Sequence, residues 1–301
     1  WEIAVGLLFL ERIGKAIRNP SRDAMLSYAT KTLGRGWGFG LHEILDRTGS
    51  LLGPLVVTGI FLTSGGPKLE IGSYRFGYSV LFAPALVALG LLLTARFFFP
   101  RPRDLEVKTP QISTKGYGRE FWWYVAAAGL VAAGYADFPL IAFHFKRLAL
   151  VPEQWIPLTY GSSLALAGIT GLIGGRIYDR VGSVVVAAVF AIGAFFAPFA
   201  FLGDSLSIVL IGLVLWGIGI GAQESIMRAV VGDLVHADRR GAGYGTYHTT
   251  FGICWFAGSA LMGFLYDQSV MALVIFSVAA QLIAVPVFLM GRPRRVLAAT
   301  A

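Results

Sequence analysis

Residues 206–232 read LSIVLIGLVLWGIGIGAQESIMRAVVG, and this stretch decides the fold class. No charged side chain appears before Glu224, and about 20 predominantly apolar residues suffice for a helix to cross the hydrocarbon of a bilayer. The run is therefore a membrane helix. Gly217, Gly219 and Gly221 give it a face on which another helix can approach closely. Gln223, Glu224 and Arg228 then place polar chemistry inside an otherwise apolar element.

Working outward, similar runs occupy 37–63, 76–99, 121–145, 156–178, 183–203, 242–265 and 269–290. A ninth segment, 1–30, is apolar only in its first third. It continues with Glu11, Arg12, Lys15, Arg18, Arg22 and Asp23, so it crosses a bilayer only if other helices enclose it. Hydrophobic residues make up 56% of the 301 and charged ones 14%, against roughly 25% charged in soluble domains. The net charge of +8 is spread over loops beside apolar spans, which is an orientation signal and not a nucleic-acid surface. Cys254 is the only cysteine and reads as a packing residue. No metal-ligand spacing, phosphate loop or nucleophile elbow occurs, so neither an enzyme nor a cofactor is expected.

The connections alternate in charge. Lys31 and Arg35, then Arg101, Arg103, Lys108, Lys115 and Arg119, then Arg180, then Arg239 and Arg240, then Arg292, Arg294 and Arg295 form one set. The other set is poorer: Lys68, Glu70 and Arg75; Lys146, Arg147 and Glu153; Asp204; Asp267. The positive-inside rule puts the first set and the C-terminus in the cytoplasm. This holds at every turn only if 1–30 crosses, which predicts about nine transmembrane helices. The Pro-rich, doubly charged stretch 100–120 reads as a cytoplasmic linker between 1–99, the end of an N-terminal bundle, and 121–301, a C-terminal one. The opening Trp1-Glu2-Ile3 lies within an apolar run and has no signal-peptide features, which predicts that the native protein starts upstream with three further helices.

The sequence also repeats. A shift of 205 residues carries Arg35-Gly36-Trp37-Gly38-Phe39-Gly40 onto Arg240-Gly241-Ala242-Gly243-Tyr244-Gly245, and Gly53 onto Gly258. Parallel repeats about an axis along the membrane normal are one transporter architecture, with the substrate site near the midplane between them.

Gly175-Arg176-Ile177-Tyr178-Asp179-Arg180-Val181-Gly182 resembles the GxLaDrxG loop motif of the major facilitator superfamily. Gly49 to Pro54, GSLLGP, resembles that family's Gly-Pro antiporter motif in the fifth helix. Ser183 and Val184 stand where the loop motif usually carries basic residues. The resemblance covers the whole chain as helices four to twelve of an all-α polytopic membrane protein with two pseudo-symmetric bundles. It implies gating roles for Gly49, Gly53, Pro54, Gly175, Asp179, Arg180 and Gly182. It also places helices four, seven and ten around a central cavity.

Each of those helices carries ionisable groups, which are costly within a bilayer unless they face a cavity or a partner. In helix four, Glu11, Lys15, Arg18 and Arg22 share a face. Arg18 and Arg22, with Asp23 alongside, either form a cationic wall for an anionic solute or pair with His42, Glu43 and Asp46 of helix five. In helix seven, Asp137 follows Tyr135 and has no basic residue within one turn, which suits a proton carrier or a carboxylate that glues helices. His144, further along, reads as a solvated interface residue. In helix ten, Glu224 and Arg228 are spaced i,i+4 and pair. In helix eleven, His248 lines the cavity or packs. The expected function is secondary transport of a small solute by alternating access, proton-coupled and directed outward. Uptake of an organic anion and a transporter-like sensor without transport are the alternatives. The expected partners are a small-molecule substrate, a proton or other coupling ion, and the lipid bilayer, with no nucleic acid and a monomeric state. The expected location is a bacterial inner membrane.

Overall fold

The computed structural model describes residues 2–30, 33–63, 71–98, 116–151 and 156–291. The linker residues up to 115 and the basic C-terminal residues Arg292, Arg294 and Arg295 lie outside them, as do the side chains of Glu11, Arg12, Gly53 and Pro54. Every apolar segment becomes helix, and among the described residues there is no strand. In chain order the helices are α1 Glu2–Ala29, α2 Arg35–Thr63, α3 Ile71–Phe98, α4 Arg119–Gly134, α5 Phe138–Arg147 and α6 Ile156–Val181. They continue with α7 Val184–Gly193, α8 Phe196–Leu202, α9 Leu206–Glu224, α10 Ile226–Leu234, α11 Arg240–Gln268 and α12 Val270–Met290. Among the described residues, five helical stretches are long and apolar enough to cross a bilayer by themselves: 119–147, 184–202, 206–234, 240–268 and 270–290.

Three of the sequence-predicted spans are broken helices. Between α4 and α5 the chain extends at Tyr135 and Asp137, and Pro139 opens α5. Proline cannot supply the N–H that a continuous helix needs there. The freed carbonyls find partners from other helices: Ser277 Oγ donates to Gly134 O at 2.6 Å and Trp216 Nε1 to Ala136 O at 2.9 Å. Between α9 and α10 the break is Ser225 alone, fully buried, whose hydroxyl donates to Gly171 O of α6 at 2.9 Å. Such satisfied interruptions are tolerated in bilayers because no polar backbone group is left facing lipid. The third break separates α7 from α8.

α2 packs on α6 through glycines. A methyl group added at Gly40 would stand 2.7 Å from the Gly171 carbonyl oxygen and from Leu172 Cα, and Gly36 and Gly175 meet backbone to backbone. Only side chains of hydrogen fit between axes this close. Gly182, at φ +80°, ends the turn after α6 in a conformation that glycine adopts without strain.

The repeat is real in space. Arg35 and Arg240 each begin a helix, α2 and α11. Phe39 and Tyr244, which the 205-residue shift superposes, touch each other with ring centroids 6.1 Å apart. Gly38 lies against Thr30 and Gly243 against Val235, the same contact in each copy, because the shift carries Thr30 onto Val235. An approximate two-fold axis therefore relates α1–α2 to α9–α11, and residues on it meet their own counterparts.

Candidate functional site

On that axis, about 12 Å inside the helix ends that carry Arg35 and Arg240, lies a buried layer of charge (eight residues at 1.5 Å each, Arg35 to Glu43 and Arg240 to His248). Arg228 of α10 is at its centre and is 2% exposed. Its Nη2 donates to Glu43 Oε2 of α2 at 2.9 Å and lies 3.3 Å from Glu224 Oε2, while its Nη1 is 3.7 Å from Asp23 Oδ1 of α1. Asp23 is fully buried. It also accepts from Arg22 Nε at 2.8 Å, and its Oδ2 is 2.8 Å from His248 Nε2 of α11. Glu43 takes a further bond from Arg47 Nε at 2.6 Å. Unpaired buried ions are prohibitive in such a setting, and paired ones survive when their remaining lone pairs are also met.

The layer obeys the two-fold. The shift carries Asp23 onto Arg228 and Glu43 onto His248. The contacts Asp23–His248 and Glu43–Arg228 are thus one contact made twice with different chemistry, and Asp23–Arg228 crosses the axis. All three tie α1 or α2 to α10 or α11.

The same end is closed further out. Asp179 accepts from the backbone N–H of Gly36 and of Trp37, each at 2.8 Å, and so caps the first turn of α2. A carboxylate there is favoured by the unsatisfied amides and the helix dipole. Arg176 lies over the Trp37 ring at 5.2 Å. Arg35 pairs with Asp233, whose other oxygen accepts from Tyr178 Oη at 2.7 Å. The loop-motif residues Gly175 and Asp179 thus serve one contact, between α6 and the start of α2. Arg180 is exposed beside it.

Toward the middle of the helices the charge layer forms the floor of a cavity of about 400 Å³ between α1, α9–α10 and α11. Its polar wall comes from Lys15, Asn19, Arg22, Gln223, Glu224 and His248, and its apolar wall from the ladder Tyr247, Phe251 and Trp255. Successive ring centroids along that ladder are 5.7 and 5.9 Å apart. Asn19 Oδ1, Gln223 Nε2 and Trp255 Nε1 are buried and have no hydrogen-bond partner among the described residues. A polar solute can satisfy them, since a buried donor or acceptor left unmet costs about 1–3 kcal/mol.

A scan against family models matches the Major Facilitator Superfamily over residues 1–259 and again over 155–300. The chain belongs to the major facilitator superfamily. Uncharacterized proteins of Mycobacterium tuberculosis and Mycobacterium bovis are 34% identical to it over 299 residues, covering 97% of this chain and 71% of theirs. An uncharacterized MFS-type transporter of Methanocaldococcus jannaschii is 25% identical over 284 residues, covering 89% of this chain and 67% of its own. As a member of this superfamily the chain is a multi-pass membrane protein of secondary-transport type.

Several site expectations change in this superfamily member. Arg22, Asp23, Glu224, Arg228 and His248 come together, from four helices. Arg18 does not join them: it is exposed and off the cavity wall, because Lys15, Asn19 and Arg22 form the inward stripe of α1. Tyr135 does not join them either. It is buried against Phe196 and Trp216, and its hydroxyl closes on the Trp216 carbonyl. Asp137 stands at the α4–α5 break, half-buried, accepting from Ser259 Oγ at 2.7 Å, away from the charge layer. His144 is not solvated but 2% exposed, with Nδ1 2.9 Å from Tyr266 Oη. Asp23 of α1 and Glu43 of α2 meet through Arg228, while Arg35 of α2 donates directly to Ser27 O of α1 at 3.3 Å. Gly49 has nothing among the described residues to meet an added methyl group. Arg47, Asn19 and Ser225 escaped sequence reasoning. Applying the repeat shift to unlike residues would have flagged Asn19, which maps onto Glu224.

Proposed function

We propose that this chain forms helices four to twelve of a proton-coupled exporter of a small solute, working by alternating access. The observation that carries the reading is the solute-sized cavity resting on an ion-pair layer that ties the two repeat copies together. A carrier needs that combination: a site, and a closure beside it that can be made and unmade. Residues 1–99 are assigned to the end of the N-terminal bundle, 100–120 to a cytoplasmic linker and 121–301 to the C-terminal bundle. The closed end is then cytoplasmic, following the basic loops, in a bacterial inner membrane. The GSLLGP stretch supports outward transport by its likeness to the antiporter motif. Lys15 and Arg22 on the cavity wall favour a second reading, uptake of an organic anion.

The test uses the native-length protein in everted vesicles holding a proton gradient, read with a pH-sensitive dye. Cationic, neutral and anionic aromatic solutes are added in turn. Dissipation by one class, abolished by Arg228→Gln, supports proton-coupled export of that class. Solute-driven acidification in right-side-out vesicles supports anion uptake. An absence of solute-dependent proton movement in either orientation removes proton coupling.

A further inference from the structure

We propose that Glu224 is the site that takes up the coupling proton, and that its charge decides which partner Arg228 serves. The inference rests on the proton-coupled reading above and assigns its chemistry to one residue.

Glu43 and Glu224 reach the same nitrogen of Arg228, at 2.9 and 3.3 Å. They compete for one cation, and they do so from different helices. The Glu43 contact spans α2 to α10. The Glu224 contact stays within one broken helix: Glu224 is the last residue of α9, Arg228 lies in α10, and the bridge spans the break at Ser225. With Glu224 ionised, part of Arg228's attraction is spent holding α10 to α9. With Glu224 protonated, Arg228 belongs to Glu43 and Asp23, and α10 is drawn to α2 and α1. Protonation at this carboxylate therefore tightens the closed end, and deprotonation loosens it.

Access singles out the same residue. The side chains of Glu43 and Asp23 are 3% and 0% exposed, whereas that of Glu224 is 39% exposed and lines the cavity. A proton entering from the cavity meets Glu224 before either of the others. Symmetry agrees. The shift that pairs Asp23 with Arg228 and Glu43 with His248 carries Asn19 onto Glu224, and both sit on the cavity wall. The two-fold set of contacts is complete without Glu224, so this carboxylate is an addition to one copy at a position that is neutral in the other. The charged and titratable groups around it are Lys15 and Arg22 from α1, Glu43 and Arg47 from α2, Arg228 from α10, and Tyr247 and His248 from α11. His248 also faces the cavity, but it is bound to Asp23 and does not touch Arg228's contested nitrogen.

The test is a distance across the closed end of the native-length protein in lipid, read by spin labels at Leu33→Cys and His236→Cys in a Cys254→Ser background. Both label sites are well exposed. Glu224→Gln is expected to raise the ratio of short to long distances at alkaline pH by about fivefold, the low end of usual coupling free energies. Glu43→Gln is expected to lower it. Acidification of the unsubstituted background reproduces the Glu224→Gln shift. The response vanishes in Glu224→Gln and returns, reduced, in Glu224→Asp. Opposite signs from two adjacent carboxylates are not what a merely structural pair gives. If both variants open the closed end, or if Glu224→Gln keeps the acid response, Glu224 is not the site although proton coupling stands. If the background shows no acid response at all, the proton-coupled reading itself falls.

Discussion

Replacing Arg228 by Met keeps the volume of the buried side chain and removes its charge. Glu43 and Asp23 are then left in a layer with almost no solvent, at 2% and 0% exposure. Removing one partner of a buried ion pair typically costs about 3–5 kcal/mol. Both carboxylates retain help, Glu43 from Arg47 at 2.6 Å and Asp23 from Arg22 and His248 at 2.8 Å. The lower end of the range therefore applies, about 3 kcal/mol. At roughly 2 °C per kcal/mol for a long chain, the midpoint of thermal unfolding in detergent should fall by about 6 °C at a fixed scan rate. The second substitution discriminates. Adding Glu43→Gln to Arg228→Met removes the stranded charge, and roughly half of the loss should return, because neutralising both partners of a buried pair is close to neutral. A fall of less than about 2 °C for the single variant, or a double variant whose losses simply add, would falsify the account of the layer as a coupled buried network.

Three further outcomes follow from particular contacts. Asp179→Asn keeps a capping oxygen but loses the charge at the start of α2; it should cost about 1 kcal/mol and increase maleimide labelling of a cysteine at position 33, and unchanged labelling would detach Asp179 from closure. Gly40→Ala must push apart two backbones, for about 1–3 kcal/mol, whereas Gly241→Ala meets nothing within 4 Å and should be neutral; thermal midpoints of the two variants decide, and equal effects would contradict the packing described for α2 and α6. Asp137→Asn still accepts from Ser259 and should preserve both folding and the acid response of the closed end; loss of that response would move the proton site to the α4–α5 break.

The membrane-helix class, the position of every apolar segment and the existence of a repeat were all readable from Trp1 to Ala301, because hydropathy and glycine spacing act over one or two helical turns. The same local reading found Glu224 with Arg228, which are four residues apart. It placed Asp23, Glu43, Arg228 and His248 correctly as polar groups in apolar helices but had no means to join them, since Asp23 and His248 are 225 positions apart and Arg228 and Glu43 are 185 apart. The repeat that relates them was visible only where residues match. At the axis the matched positions carry opposite chemistry, Asp23 against Arg228 and Glu43 against His248, and identity cannot reveal complementarity. Burial also reversed simple expectations: His144 was drawn inside by Tyr266, while Arg18 was left outside by the tilt of its stripe on α1. Local sequence determined which groups must avoid lipid. Only the tertiary structure decided which of them met, because a charge buried in a bilayer is stabilised by whatever partner the packing brings within about 3 Å, and packing is a property of the whole set of helices.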